Sequence, residues 1–294
     1  MHENQVPVLT GARTPADVLA AVAEHGVALL RDGGWRRDSF VALGDALMEP
    51  TAYAGGFHRE RDVIGDDRTT TTVTRGTRGM PLHREASYAP GSPDLLTFLC
   101  VRPAADGGRT TLCDGVALLA ALPADVRAAF EQLEIVWENT LPDGEWQRIF
   151  GTADPAAVRS ALRQWEPYLR PWESVRVDAS DTGLVTGFGT RCTPPTRFGG
   201  VPAFGNSLFI SRPGDDEYHD QRLQVRTAAG GPVPAPLLSV AAEVAQRLTV
   251  AVPWQAGDVL VVDNSRYLHG RQAFTDTGRS VLVRMGHLHQ KETT

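Results

Sequence analysis

Lysine is almost absent: Lys291 is the single one among 29 basic residues, the rest being arginine. That bias reads as the codon usage of a GC-rich genome, with little bearing on mechanism. Cysteine is scarce as well. Cys100, Cys113 and Cys192 form an odd, widely spaced set; without the paired C-x-x-C groups of a structural zinc site they read as reduced thiols. No apolar run approaches the ~20 residues needed to span a bilayer, and the stretch around Leu95 to Val101 is far shorter. The N-terminal MHENQVPVLTGART lacks the basic start and apolar core of a secretory signal, so a cytoplasmic protein without a membrane segment is expected. Excess positive charge is missing too. A net charge of −6 and a pI near 5.8 argue against a nucleic-acid partner, because phosphates are held by clustered basic side chains.

What remains is an ordinary globular composition, 42% hydrophobic and 22% charged over 294 residues. There is no repeat, low-complexity tract or obvious linker, so one domain over residues 1–294 is expected. Helical periodicity marks PADVLAAVAEHG, DSFVALGDALM, PADVRAAFEQLE, DPAAVRSALRQW and APLLSVAAEVAQRL, each with Pro or Asp near its first turn. Short β-branched or apolar runs predict strands at GVALLR, DLLTFLCV, EIVWENT, GLVTGFG, SLFISR, DVLVVDN and SVLVRMGHL. These elements do not alternate as regular βαβ units, and no G-x-G-x-x-G follows the first strand. A doubly wound nucleotide-binding fold is therefore disfavoured, and a β-rich α+β sandwich or jelly roll with flanking helices fits better.

Two His-x-Glu tripeptides stand out: His83 and Glu85 in PLHREASYAP, and His58 and Glu60 in GGFHRERD. On a strand, residues i and i+2 share a face, so His83 and Glu85 would present an imidazole and a carboxylate side by side. The upstream copy lies among glycines and charges and reads as a solvated loop. A third donor follows the apolar run DVLVVDN: His269, placed just beyond the end of that strand. Two His and one carboxylate on one face of an octahedral ion leave three positions open, the arrangement of non-haem Fe(II) oxygenases. If 2-oxoglutarate takes two of these positions, its distal carboxylate needs an anchor. Arg279, ten residues after His269, offers a planar guanidinium, and Thr110 in GGRTTL a hydroxyl.

At these residues the chain resembles the taurine dioxygenase-like (TauD/TfdA) family of Fe(II)/2-oxoglutarate oxygenases. HGVALLRD, PLHREASY, PDLLTFLCVRPAADGGRTTLCDG, EWQRIFGTADPAAV, AFGNSLFI and DNSRYLHGRQAFTDTGRSVLVRM follow in family order over most of the chain. The resemblance implies a double-stranded β-helix (jelly-roll) core, with His83, Glu85 and His269 as iron ligands, Thr110 as a cosubstrate contact and Arg279 as carboxylate anchor. Fe(II), 2-oxoglutarate and O2 are the implied cofactor and cosubstrates. Two departures matter. Glu85 stands where Asp is commoner, and its extra methylene moves the carboxylate oxygen outward or demands a retracted strand. Ser280 follows Arg279 where many relatives carry a second Arg; Arg284, five residues on, falls on the opposite face of a regular strand.

Hydroxylation of an unactivated C–H bond is the expected outcome, with desaturation or cyclisation as alternatives; Glu85 argues against halogenation. Arg75, Asn139, Asn206 and Arg284 are the candidate substrate contacts, though each such residue type is more often structural. The EWQRIFGT and AFGN segments resemble relatives acting on amino acids or carrier-bound aminoacyl groups in natural-product pathways, so the expected partner is a small molecule, free or carrier-tethered. The segment PTRFGGVPAFG reads as a loop able to fold over the pocket. Two other classes compete: a jelly-roll binding protein without turnover, which would be expected to lose one of the four key side chains, and a zinc hydrolase, which leaves Thr110 and Arg279 without a task.

Overall fold

The computed structural model describes residues 6–11, 13–53, 61–163, 166, 169–180, 183–211 and 222–289; His58 and Glu60 lie outside them. In chain order the elements are β1 (Val8–Thr10), α1 (Pro15–His25), β2 (Val27–Arg31), α2 (Arg37–Leu47), β3 (Met48–Pro50), β4 (Thr71–Thr72), β5 (Met80–His83), β6 (Leu95–Arg102) and β7 (Thr110–Asp114). Then come α3 (Gly115–Ala121), α4 (Ala124–Gln132), β8 (Glu134–Pro142), α5 (Glu145–Phe150), α6 (Pro155–Leu162), β9 (Ser174–Ser180), β10 (Gly183–Arg191) and β11 (Leu223–Thr227). The chain closes with α7 (Ala235–Leu248), β12 (Val250–Ala251), β13 (Val259–Asp263), β14 (Tyr267–Arg271) and β15 (Ser280–Leu288).

Local chemistry explains the secure elements. Thr14 and Asp17 form a reciprocal capping box ahead of Pro15, and Gly26 at φ 76° closes α1 in the left-handed conformation. Val18 and Val22, one turn apart, bury the same stripe. In β13 all of VLVVD is buried, because it lies between β2 and β6 with both faces covered.

The strands form three sheets. The largest runs β1-β2-β13-β6-β15-β3, with β4 also on β15; a four-stranded sheet runs β12-β7-β14-β5, and another β11-β8-β10-β9. Alternation sorts the large sheet's side chains. Val259, Val261 and Leu282 pack with Val18, Val22, Phe40 and Leu47 of α1 and α2, whereas Leu260, Val262, Val281, Val283 and Phe98 pack with Leu112 of β7. The second set faces the β12-β7-β14-β5 sheet, and the functional residues converge between these two sheets. The third sheet packs Trp137 and Phe188 against α3, α4 and α7.

Three local expectations are corrected. SLFISR forms a 3-10 turn over Leu208–Ser211 in place of a strand, with Asn206 Oδ1 accepting from Leu208 N–H at 3.0 Å. His269 sits inside its own strand, β14, rather than just past the end of β13. The strand carrying His83 stops at that residue. All three cysteines are free and buried, in agreement with the reduced reading. Among the described residues no helix is long and apolar enough to cross a membrane.

Arg284 lies on the helix-facing side of β15, 1% exposed, and donates to Thr70 Oγ1 at 3.1 Å and to Asp45 of α2. It ties α2 and the segment just ahead of β4 to β15. Prediction: Arg284→Ala, which removes a large buried side chain, lowers unfolding free energy by about 2–4 kcal/mol in urea titration while leaving the 2-oxoglutarate affinity of the folded fraction unchanged.

Candidate active site

The register of β14 against β5 makes His83 and His269 direct partners across the ladder. Their imidazole centroids lie 4.2 Å apart at 45°. His83 Nδ1 is 2.9 Å from the Pro81 carbonyl oxygen; since a carbonyl only accepts, Nδ1 is the donor, which in the neutral ring leaves the Nε2 lone pair for a ligand. That Nε2 is 4.0 Å from Glu85 Oε2, and His269 Nε2 is 3.7 Å from the same oxygen. One donor atom from each of the three residues lies within 4.8 Å of the others, the only such group of three or more His, Cys, Asp or Glu among the described residues. His269 Nδ1 is buried without a hydrogen-bond partner.

Glu85 reaches this point from beyond the strand. Ala86 at φ 53° turns the chain sharply after it. Asn264, fully buried, holds the Glu85 peptide from both sides: its Oδ1 accepts from Glu85 N–H at 2.9 Å and its Nδ2 donates to Glu85 O at 3.1 Å. Burial pushes the Glu85 carboxyl upward, but Arg61, His269 and His83 together hold it well below the usual carboxylate range. Arg61 Nη2 donates to Glu85 Oε2 at 3.0 Å. The donor set is therefore two imidazoles and an ionised carboxylate, convergent as the 2-His-1-carboxylate set of a non-haem Fe(II) site requires.

Beside these three lies a small cleft, partly open to solvent, lined also by Arg61, Val73, Phe98, Thr110, Arg279 and Val283. Arg279 Nε donates to Gly108 O at 2.7 Å, leaving Nη1 and Nη2 uncommitted. Burial, with Arg271 nearby, lowers its pKa to about 10, the mark of a cation short of counter-charge. Thr110 Oγ1 accepts from Trp254 Nε1–H at 3.1 Å, so its own hydrogen remains to be donated to a ligand. The glycines of GGRT have a steric reason: Gly108 stands at φ +61°, and a Cβ there would lie 3.0 Å from Arg279 Cδ.

The four substrate candidates lie elsewhere. Arg75 is exposed and paired with Asp62; Asn139 sits in β8 of the third sheet; Asn206 donates to Cys192 O at 2.9 Å and is structural; Arg284 faces the helices. None lines the cavity. The PTRFGGVPAFG loop borders a separate cleft with Arg84, Asp94 and Trp172, and none of its residues lines the cleft beside the metal-ligand group. Arg61, Asn264 and Arg271 also belong to the site, beyond the residues expected from the sequence. For Asn264 the signal was the Asp-Asn that ends β13; Arg61 left none.

The family model for the taurine catabolism dioxygenase TauD, TfdA family matches residues 5–285, and the chain belongs to that family. It is a 2-oxoglutarate-dependent non-haem iron dioxygenase using Fe(II), 2-oxoglutarate and O2. A clavaminate synthase-like protein of Arabidopsis thaliana is 26% identical over 268 residues, 84% of this chain and 76% of that one. PvcB of Pseudomonas aeruginosa superposes with a TM-score of 0.58 at 16% identity, over 98% of this chain and 88% of that one. A taurine dioxygenase of Burkholderia xenovorans gives 0.58 at 17% identity, over 96% and 88%.

Prediction: a Cβ at Gly270 would lie 2.5 Å from Met80 O and 2.8 Å from Thr111 Oγ1, so Gly270→Ala must part β14 from β5 and separate His83 from His269. Fe(II) affinity, measured anaerobically, falls at least ~10-fold, about 1.4 kcal/mol, while far-UV circular dichroism is retained.

Proposed function

We propose that this enzyme hydroxylates an unactivated C–H bond of a small molecule, an amino acid, a carrier-bound aminoacyl group or a related natural-product intermediate. The reading is supported by the convergence of His83, Glu85 and His269 beside an uncommitted Arg279. We assign His83 Nε2, His269 Nε2 and a Glu85 carboxylate oxygen as the iron ligands. When bound there, iron with 2-oxoglutarate and O2 supplies the oxidation that yields succinate, CO2 and one oxygen atom for the substrate.

The chain's own residues prepare that chemistry. Arg279 grips the distal carboxylate of 2-oxoglutarate with two parallel N–H donors, and Thr110 adds its hydroxyl hydrogen. Pro81 O and Asn264 fix the orientations of His83 and Glu85, as ligand-supporting hydrogen bonds do in metal sites. Val73, Phe98 and Val283 line the cavity with apolar surface and limit water around the reacting C–H bond. We place the three-ligand group in a jelly-roll core formed by the large sheet and the β12-β7-β14-β5 sheet, within a single oxygenase domain. PvcB, an Fe, α-ketoglutarate-dependent oxygenase from an isonitrile synthetic pathway, supports the choice of a natural-product intermediate as substrate class.

Prediction: metal-free protein given Fe(II) and then 2-oxoglutarate under argon develops the visible charge-transfer band of a keto-acid chelate; intact protein without the band would count against the assignment. His269→Ala loses Fe(II) binding. Arg279→Ala retains Fe(II) but binds 2-oxoglutarate about 10- to 150-fold more weakly, the ~1.5–3 kcal/mol of a charged hydrogen-bond pair. His58→Ala changes neither, and an equal loss from that variant would transfer the metal site to the upstream tripeptide.

A further inference from the structure

Arg61 enters the cavity from the chain just ahead of β4 with its side chain 11% exposed. Nη2 is spent on Glu85 Oε2. Nη1 is buried and has no hydrogen-bond partner. Leaving a buried donor unpaired costs about 1–3 kcal/mol, more for a charged group, so an acceptor entering the cavity beside Arg61 recovers that energy. The cleft that Arg61 lines is partly apolar, with Val73, Phe98 and Val283 among its other lining residues.

The charge balance identifies the acceptor. Three guanidinium groups line the cavity, Arg61, Arg271 and Arg279, against one carboxylate, Glu85. Iron(II) and the dianion of 2-oxoglutarate cancel when both are bound, so two positive charges remain for a third occupant. Arg271 is turned to the backbone instead, each of its three guanidinium nitrogens donating to a carbonyl: to Thr74 O at 2.8 Å and to Arg78 O at 2.9 and 3.3 Å. Arg279 is held beside Gly108 and Thr110, at the cosubstrate's distal end. Arg61 is the cation next to the metal-ligand group with a donor left over.

We propose that Arg61 binds a carboxylate of the substrate, one Nη held by Glu85 and the other reaching the substrate acid, so that an acidic substrate is selected over its neutral amide. This rests on the oxygenase reading above. It moves the substrate cation from Arg75, which is paired at the surface with Asp62, to a position 14 residues upstream in sequence.

The test uses the full-length protein loaded anaerobically with Fe(II) and 2-oxoglutarate. The probes are L-α-amino acids and straight-chain monocarboxylates, each paired with its primary amide, and the readout is perturbation of the charge-transfer band on titration. At least one acid is expected to bind ten or more times tighter than its amide. Arg61→Gln is expected to remove that preference and Arg61→Lys to keep most of it, both compared at saturating Fe(II) and 2-oxoglutarate with the fold verified by circular dichroism and melting. Four results would overturn the proposal: no acid binds, acids and amides bind equally, Arg61→Gln keeps the preference, or Arg61→Gln weakens 2-oxoglutarate as strongly as Arg279→Ala. The last would assign Nη1 to the cosubstrate. Absence of the band in wild type is a different failure, removing the oxygenase reading itself.

Discussion

The antiparallel pairing of β5 with β14 carries the functional centre. It sets His83 opposite His269 in the ladder, and backbone hydrogen bonds hold the two imidazoles in contact before any cation arrives. The carboxylate completing the group costs more to keep, since an ionised Glu in a buried place is unfavourable by several kcal/mol unless paired. Arg61 supplies that pairing and keeps Glu85 charged. The centre is therefore built from one strand pair and one ion pair. Asn264 links them by fixing the Glu85 peptide from the turn between β13 and β14.

Strand alternation then separates chemistry from scaffolding on β15. Val281 and Val283 look inward to the cavity layer, while Leu282 and Arg284 look outward to α1 and α2. Arg279, just ahead of that strand, is turned inward by its bond to Gly108 O. Two arginines five residues apart thus serve different ends, one facing a ligand and one tying a helix to a sheet. Val283, the β15 residue that lines the cavity, is apolar, and the cavity draws its additional charge from Arg61 and Arg271.

Much of the architecture was legible in the residues because it is locally encoded. The capped, Pro-initiated α1 and the apolar β2, β6 and β13 carry their own period and boundary signals. SLFISR misled for the opposite reason: its apolar run imitates a strand, but Asn206 captures the Leu208 N–H and winds the segment into a 3-10 turn. β9, SVRVDAS, went unassigned because its alternation is short and half charged; its place against β10 depends on pairing. The His-x-Glu pair was found through a strand face, yet Glu85 arrives there through a turn at Ala86.

What the amino-acid sequence determined alone was the inventory and its order: the His-x-Glu tripeptide, the GGRT hydroxyl, the distal His and the arginine ten residues later, each recognisable from spacing and side-chain chemistry. Tertiary structure decided which polar residues meet. Arg61, Asn264 and Arg271 join the site, while Arg75, Asn139, Asn206 and Arg284 stay outside the cavity, because long-range sheet register and buried hydrogen bonding choose partners far apart in the chain. No local period or motif encodes a contact such as Arg61 with Glu85. It exists only once burial has removed water as the competing partner.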